Sequence, residues 1–118
     1  MIKTIGNQEY DFNVKLGTTL KIKKAFNKNF NQVLANIEDY DAEDLIKLLY
    51  CGINEQEVSK EEFKNAVLEN CGLMELYELV QSFIKGIQYP GLSEEEIDKK
   101  IVEKNKQAQA LGMTGLSK

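Results

Sequence analysis

Strand-like alternation followed by helical periodicity predicts a mainly α protein: an N-terminal β-hairpin packed on a small bundle of about five helices, plus a loosely attached C-terminal helix. Apolar and polar residues alternate over residues 2–16, and apolar residues recur every three to four positions from Thr18 to Ile87. The one proline, Pro90, then separates that stretch from a more polar one. The chain's 118 residues suffice for one compact core and are too few for two. Residues 1–89 are therefore expected to form a hairpin-plus-helices domain, and residues 90–118 a polar helix with a frayed tail.

In the hairpin, Ile2, Thr4 and Ile5 precede Gly6-Asn7. Beyond that turn Tyr10, Phe12, Val14 and Leu16 point one way, and Glu9, Asp11, Asn13 and Lys15 the other. Its apolar face must lie on helices, because an isolated two-stranded hairpin is marginal in water. From Thr18 the period becomes helical, with Thr18 or Thr19 as N-cap and Leu20, Ile22, Ala25 and Phe26 on one face, ending near Asn27 to Asn29.

A second, short helix carries Phe30, Val33, Leu34 and Ile37 at i, i+3, i+4 and i+7. Asp41 can cap a third helix, in which Leu45, Ile46, Leu48, Leu49 and Tyr50 are dense enough for burial on most sides before Gly52 ends it. That segment is the expected centre of the core. Ser59-Lys60-Glu61-Glu62 fits a capping box ahead of Phe63, Val67 and Leu68. Asn70-Cys71-Gly72 closes that helix, and Leu73, Leu76, Tyr77, Val80, Phe83, Ile84 and Ile87 mark a long amphipathic one stopped at Tyr89-Pro90-Gly91.

Behind a second capping box at Ser93 to Glu96, apolar residues become sparse: Ile97, Ile101, Val102, Ala108 and Leu111 stand among lysines, glutamates and glutamines. Such a segment has high helix propensity and little to bury. It is expected to attach loosely or to pack on another chain, with Ile97, Ile101 and Leu111 as its partner-binding residues.

Several function classes are disfavoured by what the composition lacks. There is no histidine, and two separate cysteines, Cys51 and Cys71, cannot complete a zinc tetrahedron. Each sits in an apolar stretch and is expected to be a small buried hydrophobe. The eight glycines are scattered at turns and helix ends, with no phosphate-binding pattern. The acidic pairs fall near helix starts, where negative charge favours the dipole, and none has calcium-loop spacing.

All fifteen cations are lysine, and arginine is the residue that reads guanine and phosphate bidentately. A non-enzymatic protein without cofactor, bound metal, nucleic acid or membrane is therefore expected. The start of the chain lacks a signal-peptide run, and no stretch approaches the roughly 20 apolar residues of a membrane span, so a reducing cytoplasm is the expected compartment. The net charge of −4 is concentrated: residues 41–89 carry ten acids against four lysines. A binding module for a basic or amphipathic helical surface fits that balance.

The order of elements also resembles a known family. Tyr10-Asp11-Phe12-Asn13-Val14, the helix opening Leu16-Gly17-Thr18-Thr19-Leu20 and reaching Lys24-Ala25-Phe26, and Phe30-Asn31-Gln32-Val33-Leu34 are similar to the tail assembly chaperones of long-tailed bacteriophages and prophages. The likeness continues through Leu45 to Gly52, Ser59 to Phe63 and Leu73-Met74-Glu75-Leu76, covering about residues 9–88. It implies a protein of the host cytoplasm, absent from the mature virion. Such a protein binds the tape-measure protein, keeps it soluble and helps recruit tail-tube protein around it. The family often includes a longer frameshifted form. Homo-oligomerisation is a further expectation, and the alternative function is a head-tail connector or tail completion protein retained in the particle.

Overall fold

The computed structural model describes residues 1–91 together with Glu95, Glu96 and Lys99. Strand β1 (Ile2–Ile5) pairs antiparallel with β2 (Gln8–Asp11), placing Ile2 opposite Asp11 and Ile5 opposite Gln8. Gly6 takes φ +64° and Asn7 no positive φ, the pattern of a type II′ turn, whose first central position favours glycine. Ile5, Tyr10 and Phe12 face inward and are buried, as the alternation predicts.

The alternation misleads beyond Phe12. Asn13 leaves the ladder because its N–H donates to the Gly52 carbonyl at 2.7 Å while its own carbonyl accepts the Thr18 hydroxyl at 2.7 Å. Its side-chain oxygen takes the Lys15 amide at 3.0 Å, so helix α1 (Leu16–Phe26) starts after Lys15. Neither Thr18 nor Thr19 is the cap: Thr18 is buried, and the Thr19 hydroxyl donates to the Leu16 carbonyl. The buried line of α1 runs through Thr18 and Ile22 to half-buried Ala25 and Phe26. Leu16 and Leu20 point to solvent instead. Asn27, left-handed at φ 55°, ends the helix.

Helix α2 (Phe30–Asn36) opens on a reciprocal capping box: the Gln32 amide donates to Asn29 Oδ1 at 2.8 Å, and the Asn29 amide to Gln32 Oε1 at 2.9 Å. It buries Val33, then tightens into a 3₁₀ turn at Ile37–Asp39 before the stripe can complete a further α turn. Helix α3 (Ala42–Tyr50) is capped by Asp41, which accepts the Asp44 amide at 2.9 Å. Its Leu45, Ile46, Leu48 and Leu49 are all buried, and it touches α1, α4 and α5. The expected central helix is central.

Helix α4 (Lys60–Asn70) starts where Ser59 accepts the Glu62 amide at 3.1 Å, and it buries Phe63 and Val67. Helix α5 (Leu73–Gln88) buries Leu76, Val80, Phe83 and Ile87. The hairpin packs through β1 on α4. Phe63 is the meeting point of the layers: Tyr10 and Phe12 approach it edge to face, with ring centroids at 5.5 and 5.9 Å, and Tyr50 lies at 5.9 Å. Phe12 also meets Phe83 of α5, so one aromatic row ties hairpin, α3, α4 and α5 together. The Tyr50 hydroxyl donates to the Val58 carbonyl at 2.7 Å and fixes the loop before α4.

Cys51 follows α3 and is buried, as expected, and burial pushes its thiol up from the ordinary 9.0 to about 11. The folded chain then holds this proton more tightly than the unfolded one, so its contribution is complete below pH 9 and lost as pH rises toward 11. The expected loss is about 2–3 kcal/mol, from a shift of about two pKa units at roughly 1.4 kcal/mol each. Burial raises Tyr40 and Tyr50 in the same direction. Urea unfolding below pH 9 and again at about pH 11 checks this: wild type should weaken, and Cys51→Ala should weaken less.

The Ser93 capping box and the expected partner-binding residues Ile97, Ile101 and Leu111 lie outside the described residues. Among the described residues, no helix is long and apolar enough to cross a membrane.

Candidate docking surface

The link between α4 and α5 is short. Cys71 is extended and half-buried, and Gly72 precedes Leu73 with its amide donated to Glu75 Oε1 at 3.2 Å. Glycine offers no side-chain cap, so Glu75 supplies the polar partner at this helix start. Two consecutive helices are thereby turned on each other within two residues. The last turn of α4 and the first turn of α5 come to border one groove.

Its walls are Ala42 and Ile46 of α3, Val67 and Leu68 of α4, and Leu73 and Leu76 of α5, around a volume of about 140 Å³. Ile46, Val67 and Leu76 form a buried floor, while Leu68 is 53% exposed and Leu73 59%. Met74, at 68%, and Tyr77, at 41%, extend the apolar surface outward along α5. Leu73 and Tyr77 are one helical turn apart, so they share a face. Large exposed apolar side chains clustered in this way mark interaction surfaces, unlike single scattered ones. Full burial of a Leu, Met or Tyr-sized side chain is worth roughly 1.5–3 kcal/mol. Covering three of them contributes at most roughly 4.5–9 kcal/mol toward the cost of association.

The two helices that border this groove are acidic in sum: residues 60–88 carry five acids and three lysines. Between Lys64 and Lys85 the chain has no lysine and three acids, Glu69, Glu75 and Glu78. Glu78 lies one turn beyond Met74. Lys64 itself is paired with Glu43 Oε1 at 3.1 Å on the α3 side of the groove. Burial, followed by the neighbouring Glu75 carboxylate, raises the Cys71 thiol above its ordinary value.

Two larger depressions are more polar. A cleft of about 380 Å³ between β1 and α5 is lined by Lys3, Thr4, Glu75, Glu78, Ser82 and Lys85. Another, of about 490 Å³, lies beside Asn13, Lys21, Asn54 and Glu57. Among the described residues, no group of three or more Cys, Asp or Glu is placed to hold a metal ion, and every buried side-chain nitrogen or oxygen has a hydrogen-bond partner. The arrangement offers a hydrophobic contact with charged edges.

The residues expected to bind a partner, Ile97, Ile101 and Leu111, are not among those that build this groove. Leu68, Leu73 and Tyr77 were expected on the core faces of their helices, and Met74 was assigned no binding role. The signal that could have separated them is the width of the apolar arc. On α5, Leu73, Met74, Leu76, Tyr77, Leu79, Val80, Phe83, Ile84 and Ile87 cover more of the helix than one packing face can take. No known family model, curated protein or solved structure matches this chain.

Proposed function

We propose that the protein is a non-enzymatic binding protein that captures an amphipathic, lysine- or arginine-bearing helix of another polypeptide on the α4–α5 face. The observation that carries this reading is the exposed set Leu68, Leu73, Met74 and Tyr77 over a buried apolar floor, with Glu78 one turn beyond Met74. Helix-in-groove recognition needs an apolar strip for the helix's inner face and charges that choose its orientation. Both are present.

Joined with the sequence resemblance, this points to a phage tail assembly chaperone acting in the host cytoplasm. Its client would be the tape-measure protein, whose long apolar helical faces aggregate unless reversibly covered. Covering them on an acidic, soluble carrier keeps the client available for tail-tube polymerisation, after which the carrier leaves.

Co-expression with a tape-measure polypeptide of a long-tailed phage tests the reading. Wild type should keep the client soluble and co-purify with it. The double variant Met74→Asp/Tyr77→Asp, altered at exposed positions, should fold normally and weaken capture by at least about tenfold, as loss of a central apolar anchor does. Unchanged capture by that variant contradicts the assignment of the face. Mass spectrometry of purified virions separates the chaperone from a retained connector: absence of the protein is expected, and stoichiometric presence contradicts it.

A further inference from the structure

A second exposed apolar surface lies on α1. Leu16 and Leu20, one turn apart, are 80% and 67% exposed, and Lys23 and Lys24 follow them in the last turn. Its charge is opposite to the net charge of α4 and α5: residues 12–37 hold five lysines and no acid, whereas residues 60–88 hold five acids against three lysines. Neither leucine belongs to the groove described above.

We infer that the Leu16–Leu20 ridge of one copy docks on the α4–α5 face of a second copy. The charges select this pairing. Two α1 ridges set together would bring lysines against lysines, and two α4–α5 faces would bring Glu78 against Glu78, each a repulsive contact. Ridge on face joins apolar to apolar and brings Lys23 and Lys24 to the side of α5 that carries Glu78. The contact is of unlike surfaces, so copies join in a two-fold pair when both contacts form at once and in a chain when they do not.

Its consequence is protection. Each copy covers another's apolar face until a client helix competes for it, which keeps the unloaded protein from sticking elsewhere. The inference rests on the α4–α5 face being a docking surface, and shares that much with the proposed function. The two fail separately, because client capture does not use the α1 ridge.

Sedimentation of the full chain over a range of concentrations tests it, with circular dichroism to verify folding. Average mass should rise with concentration at low salt and fall back as salt screens the rim charges. Leu16→Gln/Leu20→Gln should weaken association about tenfold or more and leave client capture unchanged. Lys23→Glu/Lys24→Glu and Glu78→Lys/Gln81→Lys should each be monomeric alone, and their equimolar mixture should associate again. A wild type that stays monomeric, or a mixture that fails to associate, overturns the proposal. Carbodiimide cross-linking of mixed isotope-labelled copies gives an independent readout. Links from Lys23 or Lys24 to Glu75 or Glu78 between copies are expected. Links within one copy from Lys104 or Lys106 to those acids would assign the face to the chain's own C-terminal segment and overturn it.

Discussion

Phe63→Ala should cost about 3–5 kcal/mol, the usual range for removing a buried phenylalanine, and lower the melting temperature by on the order of 10–20 °C. Phe63 is fully buried and is the ring that Tyr10, Phe12 and Tyr50 all contact. Its loss leaves a cavity lined by three aromatic side chains from the hairpin and α3, none of which can close it without leaving its other neighbours. Phe12, for example, is also held against Phe83. A chain of this size has roughly 5–15 kcal/mol in total, so much of the folded population is at stake. Urea unfolding monitored by far-ultraviolet circular dichroism measures the loss. A change below about 1 kcal/mol would mean that the hairpin does not depend on α4 for its place.

Gly52→Ala is the second large effect, and a methyl group is all that it adds. A Cβ at this position would lie 2.5 Å from Cε1 of Phe83 and 3.2 Å from the Asn13 carbonyl oxygen. The Phe83 ring is fully buried and has nowhere to retreat. Asn13 is equally fixed, since its N–H donates to the Gly52 carbonyl and its own carbonyl holds the Thr18 hydroxyl. Gly52 has no positive φ, so the glycine is required by the close approach of a ring and a backbone. In open space the same substitution stabilises by about 0.4–1 kcal/mol through the unfolded chain. Here overpacking should outweigh that gain, with a net loss of about 1–3 kcal/mol. A double-mutant cycle isolates the cause: in a Phe83→Leu background, Gly52→Ala should cost clearly less. A stability gain from Gly52→Ala alone contradicts the close packing.

These two residues also show where sequence patterns stop being informative. The helix starts at Asp41 and Ser59 were legible because a cap is a local device, set by a side chain and an amide three residues away. The same pattern at Asn29 and Gln32 was present and went unread. Gly52 was legible as a helix end, but its real constraint comes from Phe83 of α5 and Asn13 before α1, both distant in the chain. The start of α1 was misplaced for a similar reason. Period-two alternation through Val14 and Leu16 cannot reveal that Asn13 is bonded to Gly52 and Thr18, which turns the chain out of the ladder.

The docking surface was less legible than the fold. Periodicity shows that Leu20, Leu68, Leu73 and Tyr77 sit on or near apolar faces. It does not show how much of each face the neighbouring helices cover. That depends on the angle at which α4 and α5 meet across Cys71-Gly72, which leaves Leu68 and Leu73 at the edge of the core while Val67 and Leu76 are inside it. Acidic charge in the middle of the chain was legible, and the place of Glu75 and Glu78 in the β1–α5 cleft with Lys3 and Lys85 was not.

Chemical-shift mapping of the isotope-labelled full chain during titration with a lysine-bearing amphipathic helical peptide tests the candidate docking surface. Saturable shifts are predicted at Ile46, Leu68, Leu73, Met74 and Tyr77, weakening with salt as the acidic rim is screened. Shifts confined to α1 or to the β1–α5 cleft, or no saturable shift at any residue of the α4–α5 face, would contradict it.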